Sequence, residues 1–148
     1  YFVTANPSEI NDLDIGVHPG WVRTGLRFLA YTDAATAPPD ASPVCRFLIP
    51  PALGDSHFYS ASPAECAQTQ ASNPTFVEES AAVMYMELPN TATGACPAGD
   101  IPVYRVWDNR ADSNHRYMVD RQLRAQMVAQ GWVAEGYGPD QVGMCAPL

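Results

Sequence analysis

Two stretches in the last third of the chain alternate side chains in the way that a β-strand with one buried face requires. Residues 103–107 (Val-Tyr-Arg-Val-Trp) are rich in strand formers and predict a strand. Residues 115–119 (His-Arg-Tyr-Met-Val) predict a return strand. The residues between them, 108–114, are typical of turns, so the two stretches together predict a β-hairpin.

A helix and a closing strand are predicted directly after this hairpin. Asp120 is a favoured N-cap residue, and Leu123 and Met127 lie four residues apart, on one face of a helix. Gly131 is a typical C-terminal residue, which ends the predicted helix near residue 130. The apolar stretch 132–137 that follows predicts the closing strand.

The same order of features occurs three times along the chain. A short aromatic phrase that leads into a helix begins at Tyr1, at His57 and at His115, so its starts lie 56 and 58 residues apart. Three candidate helix caps fall in register five residues after these starts, and three closing stretches align without gaps; these are Asn6, Ser62 and Asp120, and residues 21–25, 76–80 and 132–136. Regular self-similarity of this kind indicates a repeat architecture.

The pattern predicts an α+β fold, mainly β, in which three pseudo-symmetric strand-strand-helix-strand repeats pack around a common core and are stapled by disulfides. We call the repeats the first unit (about 1–31), the second unit (about 43–88) and the third unit (about 102–148) of one domain spanning 1–148. The first unit lacks its opening strand. Either that strand lies upstream of Tyr1 in a longer parent chain, which we favour, or the segment after Gly136 supplies the pairing.

The charge of the chain restricts its partners. The formal net charge is −8 and basic residues are few, so a nucleic acid or an anionic membrane surface is not an expected partner. The apolar runs are short, and the longest of them do not approach the length of a membrane-spanning helix.

Four cysteines in a loop-rich chain are typical of an oxidising compartment, so we expect a secreted or periplasmic protein. Three pairings are possible. The equivalent positions of the units favour Cys45–Cys66 within the second unit and Cys96–Cys145 at the two ends of the third. A metal site needs closely spaced ligands, and the chain has no such pair, so no metal is expected.

Several short phrases carry a family resemblance. Pro-Val-Cys-Arg at 43–46, Pro-Val-Tyr-Arg at 102–105, His-Phe-Tyr-Ser at 57–60 and the closures of the form Trp/Phe-x-x-x-Gly/Ser resemble a family of repeat domains of unknown function, found in secreted bacterial and fungal proteins and often appended to extracellular hydrolases. The resemblance implies a noncatalytic accessory module for cell-wall or polysaccharide attachment. It brings no catalytic residues and no cofactor.

The predicted function is therefore a noncatalytic binding module, with a glycan or cell-wall polymer as its first-choice ligand. Clusters of aromatic and polar side chains around the turns suit neutral polyols without a positive surface. The candidate ligand-binding residues are Asp55, His57, Tyr59, Trp107, Asp108, Asn109, Arg110, His115 and Tyr117. The alternative interpretation of the histidines is that they are buried and bonded to a neighbouring carboxylate or carbonyl.

Two other functions stay open at the level of sequence. Gly54-Asp55-Ser56, followed by Asp112-x-x-His115, is similar to the order of the blocks in Gly-Asp-Ser-type esterases, which would make Ser56 the nucleophile and His115 the base. Further Gly and Asn blocks for an oxyanion hole are not evident. The other alternative is a structural spacer or protein-docking domain of a larger secreted enzyme, which would show a contiguous apolar surface.

Two arginines recur at one strand position. Arg46 and Arg105 follow Pro-Val-x in the second and third units. A structural bond to a carboxylate of a neighbouring unit, with Glu79 and Glu135 as candidates, is as well supported as a contact with a ligand.

Overall fold

The computed structural model describes all residues, 1–148. It has nine strands, three α-helices and one short 3-10 helix, Pro51–Leu53. The helices are α1 (Pro7–Asp14), α2 (Pro63–Ser72) and α3 (Arg121–Ala129). The strands are β1 (Ser42–Pro43), β2 (Cys45–Ile49), β3 (Ser56–Ser60), β4 (Val77–Ser80), β5 (Tyr85–Met86), β6 (Asp100–Trp107), β7 (His115–Met118), β8 (Val133–Glu135) and β9 (Val142–Pro147). The fold is α+β and mainly β, as predicted.

The second and third units share a central strand, a hairpin strand, a helix and a closing strand, in the same order along the chain. The second unit also has β1, β5 and the 3-10 helix, and the third also has β9. In the second unit the central strand β2 lies between β3 and β4, and in the third unit β6 lies between β7 and β8. Every one of these pairings is antiparallel. The two hairpins share a register as well, because Arg46 is opposite Tyr59 and Arg105 is opposite Tyr117.

The three helices begin at the three predicted cap residues. The Asn6 side chain accepts a hydrogen bond from the Ser8 N–H at 2.9 Å, and Asp120 accepts from the Leu123 N–H at 3.0 Å. Ser62 accepts from the Glu65 N–H at 3.3 Å, but the carboxylate of Glu65 does not return to the Ser62 N–H as it would in a complete capping box. The Ser62 N–H donates to the Ser60 hydroxyl instead, so the Glu65 carboxylate is available to other partners.

The first unit departs from the prediction. Its helix α1 forms, but residues 1–5 and 21–25 form no strands. A strand is stabilised by hydrogen bonds to a neighbour, and the first unit has no central strand to supply them. The C-terminal segment does not substitute for it, because β9 pairs along Asp100–Tyr104 of β6 in the third unit.

The main hydrophobic core joins residues of both complete units. Tyr59, Met84 and Met86 of the second unit pack there with Val103 and Tyr117 of the third, and all five are almost fully buried. The first unit adds the partly buried side chains of Val3, Phe28 and Ala30. The burial of these apolar surfaces against one another is the main force that holds the three units together.

Two disulfides staple the fold, and they join the pairs that the sequence favoured. Cys45–Cys66 links β2 to α2 and closes a loop over 21 positions, whereas Cys96–Cys145 links the segment before β6 to β9 over 49 positions. No cysteine is free.

We predict that removing either disulfide destabilises the protein by restoring chain entropy to the unfolded state. From the loop lengths, C45S/C66S should lower the free energy of unfolding by about 3 kcal/mol and C96S/C145S by about 4 kcal/mol. Urea denaturation monitored by circular dichroism measures both values. The reduced wild-type protein is the control and should lose at least as much as either variant; a loss below about 1 kcal/mol in both variants would contradict the prediction.

Candidate functional site

Four of the predicted ligand-binding residues are buried in the interior. His57 and His115 each keep 7% of their surface exposed, Tyr117 keeps 4% and Tyr59 keeps 1%. Side chains buried to this degree are not free to meet a polymeric ligand. Their contacts within the protein explain why these residue types recur.

The two tyrosines hold neighbouring units together through the backbone. The Tyr59 hydroxyl accepts a hydrogen bond from the Val3 N–H at 3.0 Å. In the same way, the Tyr117 hydroxyl accepts from the Tyr59 N–H at 2.7 Å, and it also lies 3.1 Å from the Tyr59 carbonyl oxygen. Burial raises the pKa of both phenols, so both stay neutral. Each hydroxyl thus contacts, in the preceding unit, the residue that aligns with its own tyrosine.

A buried arginine joins the second and third units. Arg105 is 4% exposed and lies between two carboxylates. Its Nη1 donates to Glu65 of helix α2 at 3.0 Å, and its Nε donates to Glu135 of its own unit at 2.8 Å. Nη1 also donates to the Tyr59 carbonyl at 3.2 Å. Removing a guanidinium from water is costly unless it is paired and hydrogen-bonded in this way.

The same set of contacts joins the first and second units. Arg46 donates to both carboxylate oxygens of Glu9 in α1, at 3.0 and 2.9 Å, and its Nε lies 2.9 Å from a carboxylate oxygen of Glu79. Glu79 and Glu135 are the carboxylates that the sequence suggested, but each belongs to the same unit as its arginine and not to a neighbouring one. The carboxylates from the preceding unit are Glu9 and Glu65, each three residues after a helix cap, and they were not among the candidates.

The two histidines complete these clusters. His57 Nε2 lies 3.2 Å from Glu79, and His115 Nε2 lies 3.5 Å from Glu135. An aromatic edge covers each ring, from Phe2 at 4.8 Å and from Phe58 at 5.2 Å between centroids. Neither Nδ1 atom has a hydrogen-bond partner. These are the buried, carboxylate-facing histidines of the alternative interpretation.

Burial keeps both histidines neutral at physiological pH. It lowers the pKa of His57, and together with the charge of Arg105 it lowers the pKa of His115 to about 3. Burial also raises the pKa of Glu135, an effect that the charge and hydrogen bond of Arg105 only partly offset. Burial would raise the pKa of Glu65 as well, but there the hydrogen bonds and charge of Arg105 prevail and lower it.

A polar cleft of about 390 Å³ opens over the Arg105 cluster, where α2 meets the end of β8. Both protein contacts of Glu135 go to Oε2, so its Oε1 is free to accept a hydrogen bond from a ligand. Tyr137 forms part of the wall, and its backbone is held by two hydrogen bonds to the backbone of Val142. The residues that line the cleft are Ser62, Ala64, Glu65, Arg105, Glu135, Gly136, Tyr137 and Gly143.

A glycine is required at one wall of this cleft. Gly136 has a φ of +139°, and a Cβ at this position would lie 2.5 Å from the backbone of Val142. No other residue fits such a close approach without a backbone shift. The turn that places Glu135 and Tyr137 side by side therefore depends on Gly136.

The remaining predicted ligand residues lie at the hairpin turns. Asp55 and Asn109 are exposed, and both have a positive φ of 50° and 55°. The other three turn residues bond to neighbours within the same turn. Trp107 Nε1 donates to the Ser113 hydroxyl at 3.0 Å, and Asp108 accepts from the Asn114 N–H at 3.1 Å. Arg110 pairs with Asp112. The nine predicted residues thus divide between the interior and the hairpin turns.

The fold and the cleft define a disulfide-bonded α+β domain in which arginine–carboxylate clusters join successive units and one of these clusters underlies a polar cleft. No group of three His, Cys, Asp or Glu side chains is arranged to hold a metal ion. The chain belongs to the family described as Domain of unknown function (DUF5648), whose family model matches residues 1–141. No curated protein and no solved structure matches the chain.

We predict that the free energy of unfolding falls as the pH is lowered below 6.5. Both histidines have a lowered pKa in the folded protein, so at acid pH the unfolded state binds more protons than the folded state. The contribution of the neutral histidines to the free energy of unfolding is therefore fully present above the unfolded pKa of about 6.5 and is lost as the pH falls below it. The loss due to His115 between pH 6.5 and pH 5 should be about 2 kcal/mol.

Variants test this assignment. H115Q should flatten the dependence of stability on pH between 6.5 and 5, and H57Q/H115Q should nearly abolish it, as measured by urea denaturation at a series of pH values. H18Q is the matched control, because His18 is exposed and should leave the profile unchanged. A double variant with the wild-type slope would contradict the buried-histidine account.

Proposed function

We propose that this domain is a noncatalytic binding module for neutral glycans, and that the polar cleft over Arg105 is its ligand site. One observation carries the proposal: Glu135 and Tyr137 line the same small cleft, and Oε1 of Glu135 has no partner within the protein. The site differs from the residues that the sequence suggested, because most of those are buried or engaged with one another.

The chemistry of the cleft suits a sugar. An ionised carboxylate accepts hydrogen bonds from hydroxyl groups, and an aromatic ring offers an apolar face to the C–H groups of a pyranose. The volume lies at the small end of the usual range for ligand pockets, which fits one or two sugar rings of a longer polymer. Six of the eight lining residues are not hydrophobic.

The charge of the cleft restricts the kind of sugar. Glu65 and Glu135 contribute two negative charges, Arg105 contributes one positive charge, and the nearby His115 is neutral. The local charge of −1 favours neutral or amino sugars and disfavours uronic acids, sulfated glycans and phosphorylated ligands. The net charge of −8 acts in the same direction.

We also propose that the domain acts outside the cytoplasm as an accessory part of a larger secreted protein. Two disulfides support an oxidising compartment. No helix of the structure is long and apolar enough to cross a membrane. The accessory role rests on the family resemblance of the short phrases at 43–46, 57–60 and 102–105.

The three units are, in this proposal, copies of one motif arranged with pseudo-symmetry about the common core. Support comes from contacts that recur at equivalent positions. Arg46 and Arg105 each bind the first helical turn of the unit before, and Tyr59 and Tyr117 each bind its backbone.

The geometry gives the esterase alternative no support. Ser56 has no exposed surface, and its hydroxyl donates to Asn114 at 2.6 Å. No hydrogen bond joins Ser56 to His115, whose lowered pKa makes it a poor base near neutral pH.

Binding to defined oligosaccharides tests the proposal. We expect wild-type protein to bind at least one of cellohexaose, xylohexaose and chitohexaose in isothermal titration calorimetry, and not to bind oligogalacturonate of similar length. Y137A should weaken the binding by about tenfold, because stacking contributes on the order of 1.4 kcal/mol.

Matched variants separate the cleft from the rest of the surface. E135Q and E79Q break equivalent ion pairs in two units, so they should cost similar stability, but only E135Q should impair binding. R110A, at the hairpin turns, should bind like wild type. Loss of binding in R110A with full binding in Y137A would move the ligand site to the turns, and absence of binding to all three sugars and to insoluble cell-wall material would contradict the glycan proposal.

A further inference from the structure

An apolar groove of about 910 Å³ runs through the first unit, far larger than the polar cleft. It is lined by residues 1–5 and 21–30, by Ile10, Leu13 and Asp14 of α1, and by Met84, Arg116 and Tyr117. Fourteen of its 21 lining residues are hydrophobic. Exposed apolar surface of this extent marks a place where another element docks.

The equivalent space in the other two units is filled by a β-strand. Residues 57–60 and 77–80 of the second unit lie on either side of β2, and the corresponding strands of the third unit lie on either side of β6. The aligned phrases make residues 1–4 and 22–25 the counterparts of those flanking strands. The groove therefore occupies the position of a central strand.

The backbone on both sides of the groove is unpaired. Residues 1–5 and 18–30 take part in no backbone–backbone hydrogen bond. The Val3 N–H donates to the Tyr59 hydroxyl, just as the Tyr59 N–H donates to the Tyr117 hydroxyl. By alignment with β3, the amide and carbonyl groups of Phe2 and Thr4 are therefore the ones that correspond to the paired edge of that strand. Two extended, unpaired edges that face each other form a template for one additional strand.

The side chains around the groove lack the same neighbour. Phe76 and Trp132, at one aligned position of the second and third units, pack against clusters that contain Phe47 of β2 and Val106 of β6. Trp21, at the aligned position of the first unit, belongs to no core cluster and is 38% exposed. Its ring contacts those of Phe2 and His57, at 5.9 and 6.5 Å between centroids. An apolar side chain on an inserted strand would add the contact with a central strand that its counterparts have.

We propose that the groove of the first unit binds an extended peptide strand that resembles the opening strand of the other units, with Pro-Val followed by alternating apolar residues. The assignment uses the proposed equivalence of the three units and is independent of the glycan site. The occupant differs from β2 and β6 at one position. Thr24 stands where Glu79 and Glu135 pair with an arginine, so an uncharged side chain fits there better than arginine.

Peptide titration tests the proposal on the intact protein. The probe is an acetylated and amidated peptide with the sequence of residues 101–107, in its natural form and with R105L. We expect saturable 1:1 binding, a blue shift of Trp21 fluorescence that is absent in W21F, and tighter binding of the R105L peptide. N-methylation of alternate backbone amides should weaken binding about tenfold by removing strand hydrogen bonds.

A chimera supplies a second measurement that does not depend on peptide solubility. His115 aligns with Tyr1, so a copy of residues 101–114 placed directly before Tyr1 should deliver a strand into the groove. We expect its Tm to rise by about 5 °C and its binding of the free peptide to disappear. The matched control carries V103D and V106D in the added copy and should show neither effect.

Two results would overturn the proposal. One is the absence of peptide binding together with an unchanged Tm in the chimera. The other is a concentration-dependent dimer, seen by sedimentation, that does not dissociate on addition of the peptide, because a second copy of the chain would then be the occupant. Loss of peptide binding would leave the glycan titrations unaffected, so the two proposals fail separately.

Discussion

The relative placement of the units depends most on the burial of two arginines between carboxylates that belong to different parts of the chain. A guanidinium at 4% exposure is tolerated only when its charge is neutralised and its N–H groups are bonded, and Arg105 obtains this from Glu65, Glu135 and the Tyr59 carbonyl. Because Glu65 lies on the helix of the unit before, the central strand of the third unit is satisfied only when that helix is docked beside it. The geometry of the ion pairs thereby sets the relative placement of the units, while the shared apolar core provides most of the stabilisation.

The candidate ligand site is a consequence of this arrangement. Glu135 is positioned by Arg105 and His115 through one oxygen, which leaves the other oxygen directed away from protein partners. The equivalent cluster around Arg46 has Ala81 where the third unit has Tyr137. Of the two junctions between units, only the one beside the third unit therefore combines a free carboxylate oxygen with an aromatic wall.

The sequence was sufficient for features that depend on local chemistry. Helix caps at Asn6, Ser62 and Asp120, the two hairpins and the two disulfides follow from short-range patterns or from the spacing of equivalent positions. It was insufficient where the deciding partner is distant in sequence. Glu65 was not among the candidates, and it bonds to a residue 40 positions away. The recurring tyrosines were counted as candidate ligand contacts, although they bond one unit to the next. The missing strands of the first unit have the same cause, because an extended segment becomes a strand only beside a partner.

The most direct test of the central claim is a double-mutant cycle on Glu65 and Arg105, with E65Q, R105M and the double variant compared by urea denaturation. The account predicts that R105M alone is destabilising by about 2–3 kcal/mol, because it leaves two partly exposed carboxylates without their common partner. It also predicts that the coupling energy between the two sites is at least about 1 kcal/mol. The exposed pair Arg110–Asp112 is the control and should show no measurable coupling. Additive effects of E65Q and R105M would contradict the account, because the two units would then be held in place without this ion pair.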